Sequence, residues 1–233
     1  MIHQRTTSTP AYRSLADVLQ DEILSGTYRP GDRLPGEHDL SADWGLGRST
    51  VREAIRSLES QHLVVTRRGV KGGTFVAEPD PTSTADVIGT QLDFLAGTRL
   101  TVDDLVEVRE MIEVPAAELA ARRAAGESRL AFDAIPPRRP DDPYVHNWAF
   151  HATVLALAGN ELLEVIARPI NSILGTRFDR AGLDRHYWAA IDREHREIAD
   201  RIEAGDSAGA ARSMRRHLAR VRATYRHLDG GSR

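Results

Sequence analysis

The stretch "EPDPTST", residues 78–84, constrains this chain more than any other. Two prolines flanking an aspartate, with serine and threonine behind them, continue neither a helix nor a central strand. A domain boundary belongs there, giving units of residues 1–79 and 80–233. At 233 residues the chain is long enough for two modest domains, each with its own core. A second proline-rich piece, "IPPRRPDDP" (135–143), is short and reads as a loop between helices. No internal repeat is visible.

The two halves differ in hydrophobic period. The first opens with an amphipathic helix at 12–26, whose Leu15, Val18, Leu19, Ile23 and Leu24 are expected to face inward. A short helix at 36–45 follows, with Leu40 and Trp44 four residues apart. After a tight turn at Gly45 to Gly47, "GRSTVREAIRSLES" carries Val51, Ile55 and Leu58 as an apolar stripe. In "LVVTRRGVKGGTFVAE" (63–78), the β-branched runs Leu63–Thr66 and Thr74–Val76 flank a glycine-rich turn, a hairpin signature. Helix, turn, helix and hairpin is the order of a winged helix-turn-helix. Beyond the boundary the pattern is helical throughout, at 84–96, 101–125, 143–158, 161–177, 184–204 and 207–228. Gly205 ends one of these helices, and Asp206 or Ser207 caps the next. The expected fold is mainly α: an N-terminal winged helix-turn-helix of three helices and a β-hairpin, then an all-α antiparallel helical bundle.

A formal net charge of -3 gives no global argument for nucleic acid, so any such case is local. Arg48, Arg52 and Arg56 stand four apart, on one face of the third helix and off its apolar stripe. From Trp44 to Val76 there are six basic residues (those three, Arg67, Arg68, Lys71) and two acidic ones (Glu53, Glu59), a net of +4. Alone, the stripe would read as a solvated face. Beside a basic glycine-rich hairpin it reads as a surface for phosphates and a major groove. The chain has no cysteine, which excludes disulfides and thiolate metal sites. No secretory h-region or membrane-length apolar run occurs, so a soluble, cytoplasmic protein is expected.

The segment "RPGDRLPGEHDLSADWGLGRSTVREAIRSLESQHLVVTRRGVKGGTFV" resembles the DNA-binding domain of the GntR family of bacterial transcription regulators. The matching pieces are "PGDRLP", "VREAI", Leu58 followed by "LV", and "GTFV", and the match covers about 11–78. The resemblance implies that Arg48, Ser49, Thr50 and Arg52 contact double-stranded operator DNA. The wing, Arg68 to Gly73 with Gly69, Lys71 and Gly72, would reach the adjacent groove. His38 stands where the family usually has arginine, and Gly47 where it usually has a serine cap.

In the second half three histidines fall on apolar faces of different helices. His151 lies with Val154, Leu155 and Ala158, His195 with Ile191, Ile198 and Ile202, and His217 with Met214 and Val221. A lone inward histidine is usually a hydrogen-bonded core residue. Three on helices that can pack together suit a divalent ion such as zinc, nickel or manganese. Asn147, one turn before His151, projects to the same side and can offer an oxygen. "NWAFH", "REH", "RRHL" and "VREMIEVPAAELAARRA" also resemble the ligand-binding FCD domain of the FadR-type subfamily, over about 84–228. That resemblance implies Asn147, His151, His195 and His217 as metal ligands. It also implies Arg109 as the residue that binds the carboxylate of an effector. By spacing alone, Arg109 is equally explained by an intrahelical pair with Glu113.

The expected function is a ligand-responsive transcription regulator, a repressor, acting as a homodimer on a palindromic operator, without catalysis or membrane contact. A small carboxylate is the expected effector. Two alternatives stand beside it. A three-histidine metal site can activate water in a hydrolase, although no carboxylate is evident near the histidines as a base. A constitutive DNA binder with a purely structural helical half is the other.

Overall fold

A computed structural model of the protein describes residues 11–139, 143–177 and 183–230. The chain divides into two compact units between Pro79 and Asp80. The first contains α1 (Ala11–Leu24), α2 (Glu37–Trp44), α3 (Arg48–Ser60), β1 (Val64–Arg67) and β2 (Gly73–Val76). The second contains α4 (Pro81–Ala96), α5 (Val102–Arg123), α6 (Arg129–Asp133), α7 (Pro143–Leu157), α8 (Glu161–Arg177), α9 (Arg185–Glu203) and α10 (Ser207–Gly230). The protein is thus mainly helical, with one hairpin after a helix-turn-helix.

In the first unit Leu15, Leu19, Leu40, Val51, Ile55, Leu58, Val64 and Val76 form one core. The buried stripe of α1 is narrower than its periodicity suggests. Val18 is 39% and Leu24 67% exposed, so Leu15, Ala16 and Leu19 carry the packing. Gly45 stops α2 in the left-handed region (φ 61°), which glycine adopts without steric cost, and so sets the sharp turn into α3. The strands pair antiparallel with Val64 opposite Val76 and Arg67 opposite Gly73. The "PGDRLP" segment supports the hairpin from its other side. Leu34 N–H donates to Thr74 O (2.9 Å), and Val76 N–H donates to Asp32 O (2.8 Å).

Two corrections concern helix limits. The helix expected from 84 starts at Pro81, because Asp80 accepts from the N–H groups of Thr82 (3.0 Å) and Ser83 (3.1 Å). Proline at the first helical position loses no hydrogen bond there, so the same residues that end the first unit begin the next helix. The five-residue α6 was not anticipated, being too short to show a period.

The second unit is built around α5. Ala116, Ala117, Ala120 and Ala121 are buried to 1% or less, which lets neighbouring helices approach closely. Leu105, Val106, Ile173, Leu174, Ile191 and Val221 form one apolar cluster. Val114, Phe150, Val154, Ile198, Met214 and Leu218 form another. On α5 and α9 the polar residues fall between these clusters: Arg109 and Glu113 on one, His195 on the other.

Candidate DNA-binding surface and candidate metal centre

α3 begins at Arg48 behind Gly47, and no side chain caps its first turn. Free N–H groups and the positive end of the helix dipole therefore face outward, a favourable place for a phosphate. Arg48, Ser49, Arg52 and Arg56 are exposed and Thr50 is half-buried, while Val51, Ala54, Ile55 and Leu58 are buried behind them. Arg52 Nε donates to Glu37 Oε2 on α2 (2.8 Å). Arg48 and Arg56 make no ion pair among the described residues.

In the wing, Arg68 and Lys71 are exposed. Gly72 N–H donates to Gly69 O (2.8 Å), closing the turn. A β-carbon at Gly72 would lie 2.4 Å from Arg67 O, so this position is glycine for the turn's own sake. Gly69 has φ 109°, again in glycine's range.

The three inward histidines meet. His217 Nε2 lies 3.4 Å from both His195 Nε2 and His151 Nε2. All three side chains are buried, and one ligand atom from each lies within 4.8 Å of the others. Asn147 is buried one turn before His151 on α7. Two of the three far nitrogens, those of His217 and His151, have carboxylates behind them. His217 Nδ1 is 2.9 Å from Glu194 Oε2, and His151 Nδ1 is 2.6 Å from Glu113 Oε2. The second contact is close but poorly aligned for a hydrogen bond. Phe150 stacks on His195 with ring centres 3.8 Å apart, which fixes that ring's plane.

These contacts decide the protonation of the facing nitrogens. A proton on Nδ1, favoured by the negative charge of the carboxylate beside it, leaves Nε2 of a neutral imidazole with a bare lone pair. His217 and His151 then present lone pairs to each other at 3.4 Å, a repulsive arrangement without a cation between them. Protonating the rings does not relieve it cheaply. Burial pushes His151 down to about 4, with Glu113 opposing and Arg109 reinforcing the shift. Burial likewise lowers His195 well below the usual value, helped by His217, and lowers His217 against Glu194. The 3.4 Å spacing is also the edge of a tetrahedron whose corners lie about 2.1 Å from its centre, the usual Zn–N length. The donor set fits a divalent ion.

The carboxylates correct the sequence-based expectation that none lies near the histidines. Glu194 precedes His195 in the chain yet reaches across to His217 on α10, a contact that appears only when the helices pack. Glu113 stands at an α-helical spacing from Arg109 and reads as its intrahelical partner; both side chains are 1% exposed, so the pair is buried. Arg109 donates through Nε to Glu113 Oε1 (2.8 Å) and through Nη2 to Oε2 (3.3 Å). Its Nη1 is buried with no hydrogen-bond partner among the described residues. Arg109 and His151 together hold the Glu113 carboxyl well below the usual range in spite of its burial. Nearby, His146, Asp192 and His195 form a further triplet, but Arg138 already occupies Asp192 (2.5 Å) where a cation would bind.

Among the described residues no helix is long and apolar enough to cross a membrane. The family model for bacterial regulatory proteins of the gntR family matches residues 11–76, and that for the FCD domain matches residues 104–220. The putative L-lactate dehydrogenase operon regulatory protein of Escherichia coli is 27% identical over 93% of this chain and 88% of its own length. The Bacillus subtilis transcriptional regulator LutR is 27% identical over 85% of this chain and 94% of its own. The solved structure of Streptococcus agalactiae GntR aligns with a TM-score of 0.57 and 25% identity, over 91% of this chain and 99% of that one. These relatives are regulators, not enzymes, which sets the hydrolase alternative aside. The chain belongs to the gntR family of bacterial regulatory proteins and is a DNA-binding transcription regulator with an FCD domain.

Proposed function

We propose that the protein is a ligand-responsive repressor that binds a short palindromic operator as a homodimer, its operator affinity set by a small organic acid in a metal-containing pocket of the helical unit. The convergence of three buried imidazole nitrogens beside a buried arginine, whose Nη1 has no hydrogen-bond partner among the described residues, carries this reading.

His151, His195 and His217 would hold the ion, zinc, nickel or manganese, with Asn147 offering an oxygen. When bound, the ion supplies a positive centre that attracts a carboxylate oxygen. Arg109 gives one edge of its guanidinium to Glu113 and retains the Nη1 side for a second carboxylate. A relative in E. coli is named for an L-lactate dehydrogenase operon, so L-lactate is the first acid to test. An acid acts as an effector only to the extent that it binds the DNA-competent and incompetent forms with different affinity.

On the DNA side, Arg48, Ser49, Thr50 and Arg52 would enter the major groove. The wing residues Arg68, Gly69, Lys71 and Gly72 would follow the adjacent backbone. One such helix reads few base pairs, so useful specificity calls for two copies about one helical turn apart.

Elemental analysis tests the metal. Purified protein should carry about one divalent ion per chain, removable by chelator with a fall in melting temperature, because an ion bound only by the folded state stabilises it. The double variant His195→Ala/His217→Ala should carry none. Absence of metal after reconstitution would leave the histidines as core residues.

A further inference from the structure

A buried carboxylate touches both a proposed metal ligand and the proposed effector arginine. Glu113 Oε1 accepts from Arg109 Nε (2.8 Å) and from Asn171 Nδ2 on α8 (3.3 Å). Its Oε2 accepts from Arg109 Nη2 (3.3 Å) and lies 2.6 Å from His151 Nδ1. A pair buried to this degree is weak evidence of a purely stabilising role, since apolar residues of similar volume often serve as well or better. What only a carboxylate provides is negative charge behind an imidazole.

That charge matters because the ligand set has none. Three neutral imidazoles and a neutral asparagine leave both positive charges of a divalent ion uncompensated, and Arg109 adds another nearby. Glu194 stands behind His217 in the same manner and, like Glu113, is paired with an arginine, but that partner, Arg220 (2.5 Å), is half-exposed and Glu194 itself is less enclosed. Glu113 is enclosed, so its field is little screened by water. Resting on the metal site proposed above, we infer that Glu113 is a positioning residue: it keeps His151 in the tautomer that bares Nε2, supplies the charge that holds the ion, and fixes Arg109 by one edge only. The proposed metal ligand His151 and the proposed effector arginine therefore share one support.

Glu113→Gln keeps the shape and an acceptor for Arg109 and removes the charge. Zn²⁺ affinity of the full chain, read by competition with a chromophoric chelator at fixed neutral pH, should fall about 10–100-fold. Glu194→Gln should cause a smaller fall, and His151→Ala should abolish binding. A measurement on the unaltered, metal-free chain guards against a variant that fails to fold. Long-range ¹H–¹⁵N correlation should find His151 protonated at Nδ1 and bare at Nε2. Glu113→Gln binding Zn²⁺ as tightly as the unaltered chain, while His151→Ala does not bind, would overturn the role of Glu113 and leave the metal site standing. His151 protonated at Nε2 would overturn it equally. Undiminished Zn²⁺ affinity in His151→Ala would remove the metal site itself.

Discussion

Arg52 and Arg109 are held alike, each giving part of its guanidinium to a glutamate, Glu37 for one and Glu113 for the other. Both retain N–H groups for a further acceptor, and a planar fork with one side fixed is well suited to bidentate recognition. At Arg52 the acceptor proposed is a base edge. Arg52→Ala should weaken binding to the selected operator by about 1–3 kcal/mol and affect a scrambled duplex far less. Glu37→Ala should leave binding to the scrambled duplex intact or tighter and reduce discrimination, because it frees the fork and removes an anion. Lys71→Ala should weaken both duplexes and flatten the salt dependence. Fluorescence anisotropy with the two duplexes reads all three, and equal operator affinity of Arg52→Ala and the unaltered chain would sink the assignment. The histidines make a pH prediction. Their folded values lie below the unfolded value of about 6.5, so the unfolded chain binds protons first. The metal-free protein is fully stabilised by them above that value and loses this contribution as pH falls towards about 4, the folded value of His151. Its melting temperature should therefore be lower at about pH 5 than at about pH 7. A melting temperature that rises on acidification would contradict the buried neutral rings.

At the scale of elements, hydrophobic period and glycine placement were enough to read α1 to α3, the hairpin and the long helices of the second unit. Gly45 and Gly205 mark stops that the backbone takes in the left-handed region (φ 61° and 69°), and Asp206 caps α10 through Gly209 N–H (2.9 Å). What period could not supply was tertiary. That "PGDRLP" pairs with β2 depends on backbone hydrogen bonds between segments some forty residues apart, which leave no mark on side-chain patterning. That Glu194 serves His217 rather than its neighbour His195 depends on how α9 and α10 pack. The three histidines were legible because each interrupts an apolar stripe, whereas Glu113 was hidden by an ordinary i,i+4 spacing to Arg109. The Pro-Asp-Pro motif carried two messages, a break and a start. Asp80→Ala should test the second by lowering stability through loss of the N-cap, read as a downward shift in denaturant midpoint. An unchanged midpoint would mean that the first turn of α4 contributes nothing to the folded unit.

For the molecule as a whole, a DNA-binding unit and a helical unit are joined at Pro79–Asp80, and the account requires that chemistry in one be felt by the other. Symmetry enters first: light scattering should give a dimer, free or on operator DNA, and a monomer in both states would refute the palindromic reading. The central claim is that a metal-bound acid controls DNA affinity. Its most direct measurement is operator affinity of the metal-loaded chain with and without L-lactate, then with other small organic acids. The double variant His195→Ala/His217→Ala is measured beside it. An acid should change the operator affinity of the unaltered chain by about 5–150-fold, the range of ordinary allosteric coupling. The double variant should bind operator comparably and not respond. A response of equal size in the double variant, or no response of the metal-loaded chain to any such acid, would contradict it.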